Sequence, residues 1–172
     1  MEKIVLLGYM GSGKSTIARG LSKLLQVQFV DLDQYIEEKT NLSVSALFEQ
    51  RGEIYFRKIE HESFLALLSS QESMIISLGG GTPCYANNHE LLKQEGVTSI
   101  YLKASITTLF KRLSFNKSKR PLIADKTNEE MKEFIAMHVF ERSFYYNQAK
   151  HNVIVDDKSI EETINDIVVL LT

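Results

Sequence analysis

The chain has 172 residues, of which 44% are hydrophobic and 24% charged, a composition typical of one globular domain with a sizeable core. Its net charge of −2 gives no basic bias, so we expect neither nucleic acid nor a membrane surface as a partner. The single Cys84 excludes an internal disulfide framework, and we find neither a signal-peptide core nor a long apolar run. These features predict a cytoplasmic protein with a free thiol.

Short β-rich runs alternate with longer amphipathic stretches, which predicts a three-layer α/β/α fold with a five-stranded parallel sheet. The predicted strands are Lys3–Leu7, Gln28–Leu32, Met74–Leu78, Thr98–Leu102 and Asn152–Val155. The predicted helices are Lys14–Leu25, Asp33–Thr40, Val44–Ser69, Asn87–Gln94, Ser105–Leu113, Asn128–Ala149 and Ile160–Leu171. The last helix has the clearest start, because Ser159 and Glu162 form a capping box ahead of its apolar face.

The first predicted strand leads into the pattern G-x-x-x-x-G-K-[ST] at residues 8–15, and a predicted helix follows. A P-loop requires this context. Successive backbone N–H groups wrap a phosphate only where side chains leave room, which explains Gly11 and Gly13. We expect Lys14 to reach the terminal phosphates and the Ser15 hydroxyl to hold Mg²⁺. The alternative is a glycine-rich turn without a ligand, which the coincidence of pattern, strand and helix disfavours.

Polar or bare residues also follow the second and third predicted strands, where ligands of open α/β sheets bind. Asp31 and Asp33 follow the second strand, and Gly79–Gly81 follow the third. A kinase needs an acid near the metal, an acid near the acceptor and a bare backbone surface for the acceptor. Singly, each has an ordinary alternative: Asp33 could cap the next helix, and the glycines could form a flexible turn. Beside a P-loop, the combination favours a kinase.

The segment Ser114–Lys126 lacks convincing periodicity and is too long and charged for a minimal connection. We expect it to be a mobile lid that carries Arg120. Two other arginines lie in predicted helices, Arg57 one turn before Glu60 and Arg142 one turn before a tyrosine. Without further context these arginines could be solvated surface charges.

Six motifs in register resemble those of the bacterial shikimate kinases, small P-loop kinases of the nucleoside-monophosphate-kinase fold. The motifs are Gly8–Thr16, Asp31 with Asp33, Phe56-Arg57 with Glu60, Gly79–Gly81, Arg120-Pro121-Leu122 and Arg142 with Tyr146. The resemblance covers nearly the whole chain. It implies a single kinase domain over 1–172, with an acceptor-binding helical region at about 33–60 and a lid at about 114–126. The implied reaction is ATP-dependent phosphorylation of shikimate to shikimate 3-phosphate by a monomer.

The same resemblance implies roles for individual residues. The implied ATP-binding residues are Gly11, Ser12, Gly13, Lys14, Ser15, Thr16, Arg112 and Arg120. The implied substrate-binding residues are Asp33, Arg57, Gly79, Gly80, Gly81 and Arg142. Mg²⁺ would be held by Ser15 and, largely through water, by Asp31. Lys14, Asp33 and Arg120 would be catalytic, with Asp33 on the acceptor hydroxyl and Arg120 on the transferring phosphate.

Within the substrate site, the resemblance implies that Arg57 and Arg142 clamp a carboxylate and that Glu60 orients Arg57. Planar guanidinium groups suit such bidentate contact. Arg112 would lie against adenine.

Two other functions are alternatives for a P-loop protein of this size. A gluconate kinase would share the fold, but the arginine motif at Arg57 and the triple glycine argue against it. A GTP-driven switch requires N-K-x-D to read guanine. The nearest match, residues 116–119, ends in Lys119 where the acid belongs.

Overall fold

Five parallel strands form the central sheet of the computed structural model, which describes residues 2–172. The strands are β1 (Lys3–Leu7), β2 (Gln28–Asp31), β3 (Met74–Ser77), β4 (Val97–Lys103) and β5 (His151–Ile154). They lie in the order β2-β3-β1-β4-β5, and all neighbours are parallel. The predicted parallel sheet is confirmed, and each strand end lies within one residue of its predicted position.

Helices flank both faces of this sheet. They are α1 (Lys14–Leu25), α2 (Leu32–Thr40), α3 (Val44–Arg51), α4 (Glu53–Ser69), α5 (Asn88–Leu91), α6 (Ile106–Ser114), α7 (Asn128–Tyr146) and α8 (Ile160–Leu171). The crossover from β1 to β2 runs toward one edge of the sheet, whereas the later crossovers run toward the other. Because such crossovers are right-handed, α1 lies on the opposite face from α4 to α7.

The central strand β1 explains where a ligand site forms. All five of its residues are buried, and it pairs with β3 on one side and β4 on the other. Apolar side chains on both faces of a strand suit the middle of a parallel sheet. The chain leaves β1 at the point where the strand order reverses, which is the crevice in which open α/β sheets bind ligands.

The single helix predicted over Val44–Ser69 is wrong, because the chain forms α3 and α4 instead. Gly52 separates them with φ 85° and ψ 169°, a conformation that is essentially restricted to glycine. Its N–H donates to the Phe48 carbonyl and ends α3, and the Phe48 and Phe56 rings then meet across the bend at 4.6 Å. The bend directs α4, which carries Arg57, toward the sheet edge.

Two other helices end earlier than predicted. Helix α5 covers only Asn88–Leu91, and α7 stops at Tyr146. The capping box at α8 is confirmed, since the Ser159 hydroxyl accepts from the Glu162 N–H and the Glu162 carboxylate accepts from the Ser159 N–H. Within residues 2–172, no helix is both long and apolar enough to cross a membrane.

Candidate active site

A cavity of about 680 Å³ lies at the carboxyl edge of the sheet. The predicted site residues that line it are Gly11, Gly13, Lys14, Ser15, Thr16, Asp31, Asp33, Gly79, Gly80, Arg112 and Arg120. Ser12 is buried in the P-loop. Gly81, the last residue of the triple glycine, adjoins Arg57, and Arg142 adjoins Gly80. The other lining residues were not predicted as part of the site, and they are Met10, Ser77, Leu78, Asn116, Lys158, Ser159 and Ile160.

The P-loop is shaped by glycines that no other residue could replace without strain. Gly13 precedes α1 with φ 94°, in the left-handed region. A Cβ at Gly8 would lie 2.8 Å from the Leu102 carbonyl oxygen of β4, so the loop can pass the sheet only at a bare backbone. The loop therefore presents backbone N–H groups and the N-terminus of α1 to the cavity, a suitable arrangement for phosphate.

The side chain of Lys14 folds back onto the start of the P-loop. Its Nζ donates to the carbonyl oxygens of Gly8 at 2.7 Å and Tyr9 at 3.1 Å. Burial lowers the pKa of Lys14 to about 8, and the nearby Asp33 and Asp31 oppose this shift. The ammonium group therefore stays mostly charged at neutral pH while it is poorly solvated, which strengthens its attraction to an anion.

Asp31 and Ser15 meet on the metal side of the predicted site. The Ser15 hydroxyl donates to Asp31 Oδ2 at 3.1 Å, and Asp31 Oδ1 accepts from the Gln34 N–H as the N-cap of α2. The residue that caps this helix is thus Asp31, so Asp33 is free for another role. Residues 2–172 contain no cluster of three or more His, Cys, Asp or Glu side chains that could hold a metal. One carboxylate and one hydroxyl still suit Mg²⁺, which keeps several waters and binds substrate phosphates.

Asp33 is a half-buried carboxylate with a raised proton affinity. Burial, followed by the negative charges of Asp31 and Glu60, raises its pKa to about 6, and Lys14 partly offsets the rise. A Cβ at Gly79 would lie 3.1 Å from Asp33 Oδ1. The carboxylate therefore lies against the bare backbone of the triple glycine, with a pKa suited to accepting a proton near neutral pH.

The other two glycines of the turn adjoin the two arginines. A Cβ at Gly80 would lie 3.1 Å from Arg142 Nη1, and one at Gly81 would lie 2.8 Å from Arg57 Nη2. Three consecutive glycines thus let one carboxylate and two guanidinium groups approach the same short turn. A larger side chain at any of these three glycines would displace the neighbouring carboxylate or guanidinium group.

Each arginine is held by a separate set of contacts. Arg57 Nη1 donates to Glu60 Oε1 at 2.8 Å, and its guanidinium lies 3.8 Å from the centre of the Tyr85 ring. Arg142 Nη1 lies 3.5 Å from the Tyr146 hydroxyl, which itself donates to the Gly80 carbonyl at 2.5 Å. Fixed guanidinium groups suit a planar anion such as a carboxylate.

The predicted lid is partly ordered in the structure. It contains a short 3₁₀ helix at Lys117–Lys119, and Lys117 Nζ donates to the Lys126 carbonyl. Arg120 lines the cavity, and its Nε is buried without a hydrogen-bond partner. A buried and unpaired donor is costly, so Arg120 is poised to contact an anion. Motion of the lid stays a prediction.

Arg112 and the loop after β5 form the far end of the cavity. Arg112 Nη1 donates to the carbonyls of Gly11 at 3.3 Å and Ser12 at 3.2 Å. Lys158, Ser159 and Ile160 complete this end. These three residues follow β5 and were not predicted, since the predicted site residues lie at the ends of the first three strands and in the segments around Arg57, Arg112, Arg120 and Arg142. The rule that ligands bind beyond strand ends would have found them.

Comparisons with known proteins show which family the chain resembles in sequence and in fold. The family model described as shikimate kinase matches residues 10–172. The shikimate kinase of Flavobacterium johnsoniae is 66% identical over 171 residues, which cover 99% of each chain. A crystal structure of shikimate kinase from Bacteroides thetaiotaomicron has a TM-score of 0.91 at 34% identity, covering 99% of this chain and 98% of that chain.

A second solved structure contains a ligand. It is the shikimate kinase of Acinetobacter baumannii in complex with shikimate, with a TM-score of 0.87 at 30% identity. The alignment covers 99% of this chain and 93% of that chain. Both the sequence and the fold match along nearly the whole length, and the chain therefore belongs to the shikimate kinase family.

Proposed function

We propose that this chain transfers the γ-phosphoryl group of ATP to the 3-hydroxyl of shikimate at the cavity beside the triple glycine. The observation that carries the proposal is the convergence of Asp33, Arg57 and Arg142 on Gly79–Gly81, next to a P-loop. This arrangement supplies a proton acceptor and two carboxylate partners within reach of a phosphate site. Shikimate has both a carboxylate and ring hydroxyls, and it is the ligand of the similar enzyme from Acinetobacter baumannii.

On the nucleotide side, the P-loop backbone and Lys14 bind the β- and γ-phosphates. Ser15 and Asp31 would hold Mg²⁺, which when bound offsets the negative charge of the phosphates. Lys14 is half-buried and lines the cavity, and its charge stabilises the transition state as charge shifts toward the leaving oxygen. Arg112 and Ile160 line the same cavity, and we expect them to contact the nucleoside.

On the acceptor side, Arg57 and Arg142 bind the shikimate carboxylate and so fix the ring against the triple glycine. The hydroxyl oxygen attacks the γ-phosphorus, the bond from that phosphorus to the β,γ-bridging oxygen breaks, and ADP leaves. Asp33 accepts the hydroxyl proton, which its pKa of about 6 allows because most of the carboxylate is ionised at pH 7. Arg120 approaches the transferring phosphate from the lid and adds positive charge there.

The test is ADP release measured with shikimate, gluconate, nucleoside monophosphates and no acceptor, with ATP or GTP as donor. We expect strong stimulation by shikimate alone and a preference for ATP. Stimulation by gluconate would favour the related sugar-acid kinase, and equal ADP release without an acceptor would refute phosphoryl transfer to shikimate. A GTP preference would favour the switch.

We also propose that the chain works as one kinase domain and as a monomer. Every side chain assigned above comes from the same chain, including the acceptor-binding region at about 33–60 and the lid at about 114–126. Neither substrate site needs a second copy of this chain. The net charge of −2 provides no excess of positive charge for binding nucleic acid. Light scattering at assay concentration tests the monomeric state, because a stable dimer would contradict it.

A cytoplasmic location fits ATP as a substrate and the free Cys84 thiol, whose pKa is raised to about 11 by burial.

A further inference from the structure

Behind Arg57 runs a chain of buried hydrogen bonds that the proposed reaction does not use directly. Glu60 accepts from Arg57 through Oε1 at 2.8 Å and from the Thr82 hydroxyl through Oε2 at 2.9 Å. The Thr82 carbonyl in turn accepts from Asn88 Nδ2 at 2.9 Å, and Asn88 Oδ1 lies 2.6 Å from His61 Nδ1. Glu60, Thr82 and Asn88 are each at most 1% exposed.

The direction of each hydrogen bond in this chain follows from chemistry. The Thr82 carbonyl can only accept, so the Asn88 amide must turn its NH₂ group toward it. Asn88 Oδ1 then faces His61, whose Nδ1 must carry a hydrogen. The ionised Glu60 carboxylate accepts only, and each of its oxygens has one donor. Glu60, Thr82, Asn88 and His61 are thus joined by paired donors and acceptors, whereas Arg57 Nε at the end of this network is buried without a hydrogen-bond partner. Paired groups in a buried network hold one another rigidly.

Thr82 is part of this series of hydrogen bonds and also of the turn that the triple glycine forms. Its N–H donates to the Gly79 carbonyl at 3.1 Å, which closes the triple-glycine turn. A Cβ built at Gly79 would lie 3.2 Å from the Thr82 hydroxyl oxygen and 3.1 Å from Asp33 Oδ1. The Thr82 hydroxyl, which donates to Glu60, thus lies against the same glycine backbone as the Asp33 carboxylate.

We propose that Thr82 is a positioning residue that fixes Glu60, and through Glu60 the Arg57 guanidinium, for recognition of the acceptor carboxylate. The proposal rests on the function proposed above, in which Arg57 binds that carboxylate. Without the threonine hydroxyl, Glu60 Oε2 loses its only side-chain donor in a site that water scarcely reaches. The carboxylate then rotates or recruits Arg57 more fully, and in either case Arg57 points less well at the substrate.

The experiment compares Thr82→Val, which keeps the shape but removes the hydroxyl, with Thr82→Ser, which keeps the hydroxyl. The matched control is Thr163→Val. Thr163 is also a buried threonine, 2% exposed, but its hydroxyl donates to the carbonyl of Ser159, the N-cap of α8. For each variant, kcat and the KM values for shikimate, MgATP and a carboxylate-free shikimate analogue are measured, together with thermal unfolding.

We expect Thr82→Val to raise the shikimate KM roughly tenfold and to change kcat and the MgATP KM by no more than about twofold. Thr82→Ser should restore most of the loss, and Thr163→Val should leave the shikimate KM unchanged. The KM for the carboxylate-free analogue should not respond to Thr82→Val, because that ligand has no group for Arg57 to bind. A general loss of stability would not produce this pattern.

An unchanged shikimate KM in folded Thr82→Val, an equal loss for shikimate and the analogue, or no rescue by serine would each overturn the proposal. If Thr82→Val does not fold, Thr82→Ala provides the same comparison. Arg57→Ala, measured in parallel, separates the proposed role of Thr82 from the proposed binding of the shikimate carboxylate by Arg57. If Arg57→Ala raises the shikimate KM and folded Thr82 variants do not, only the role of Thr82 fails. If Arg57→Ala itself has no effect, the carboxylate clamp fails and the role of Thr82 fails with it.

Discussion

At the level of single residues, Asp33 shows how burial prepares a carboxylate for proton transfer. It lies near Asp31 and Glu60, and these charges add to the desolvation that raises its pKa to about 6. Lys14 partly offsets these charges, and burial lowers the pKa of Lys14 itself. Such a cluster is unfavourable for folding and useful for chemistry, a combination typical of active sites.

Asp33→Asn should reduce kcat severely and leave MgATP affinity close to that of the unmodified chain, because the partner of Asp33 is the acceptor hydroxyl. Steady-state kinetics with both substrates varied, together with nucleotide titration, measures this. A large loss of ATP affinity with normal kcat would instead place Asp33 in the nucleotide site.

Asp33 should also leave a signature in the pH dependence of stability. Its pKa rises from 3.8 to about 6 on folding, so between these values the folded state binds more protons than the unfolded state. The contribution of Asp33 to stability is therefore full below pH about 4 and is lost as the pH rises through about 6. Asp33→Asn should raise the Tm at pH 7 relative to the unmodified chain, and less so at pH 4. A uniform change in Tm at both pH values would contradict the raised pKa.

Arg142 offers a clean test of the carboxylate clamp, because its nearest partner is the neutral Tyr146 hydroxyl and its removal strands no buried acid. Arg142→Ala should weaken shikimate binding by roughly 2–5 kcal/mol if the ion pair is desolvated. Arg142→Lys should recover only part of this, since lysine lacks the planar fork. Calorimetric titration with shikimate and with a carboxylate-free analogue decides the matter. Equal losses for both ligands would mean that Arg142 does not bind the carboxylate.

At the level of elements, sequence periodicity located the strands and most helices, because burial on both sheet faces leaves clear apolar runs. It failed at Gly52, since apolar side chains continue at helical spacing on both sides of the break. The bend depends on a backbone conformation, which periodicity does not report. The Thr82 and Asn88 network was equally invisible, because buried threonine and asparagine in a loop resemble ordinary turn residues until the fold brings them to Glu60.

Gly52→Ala should test whether the bend between α3 and α4 depends on backbone freedom alone. Nothing lies within 4 Å of a Cβ built at Gly52, so alanine meets no steric obstacle, yet φ 85° with ψ 169° strains any L-residue. We expect a loss of about 1–3 kcal/mol in the free energy of unfolding, measured in urea. Gln50→Ala, on an exposed site of α3, is the control and should change little. Unaltered stability in Gly52→Ala would mean that the bend relaxes without cost.

At the level of the whole molecule, the sheet places both substrates at one edge, and the lid crosses that edge between α6 and α7. The P-loop and the triple glycine follow the fully buried strands β1 and β3, so they form a rigid platform, and Asp31 ends β2 beside them. The lid instead consists mainly of turns and one short 3₁₀ helix, although Ile123 is fully buried and anchors it. A segment with one anchor and few regular hydrogen bonds belongs to the less stable part of a fold.

We therefore expect hydrogen exchange across residues 114–126 to be fast in the free protein, slower with MgADP and slowest with MgADP plus shikimate. The reason is that bound phosphate supplies the partner that Arg120 Nε lacks, and closure keeps water from competing as acceptor. Arg120→Ala should lower kcat strongly, change the shikimate KM less, and weaken the protection that ligands confer on the lid. Strand β1 serves as the internal control, because its amides should stay protected in every state. Equal lid protection in all three states would rule out a ligand-gated lid, and Arg120 would then be a fixed part of the cavity wall.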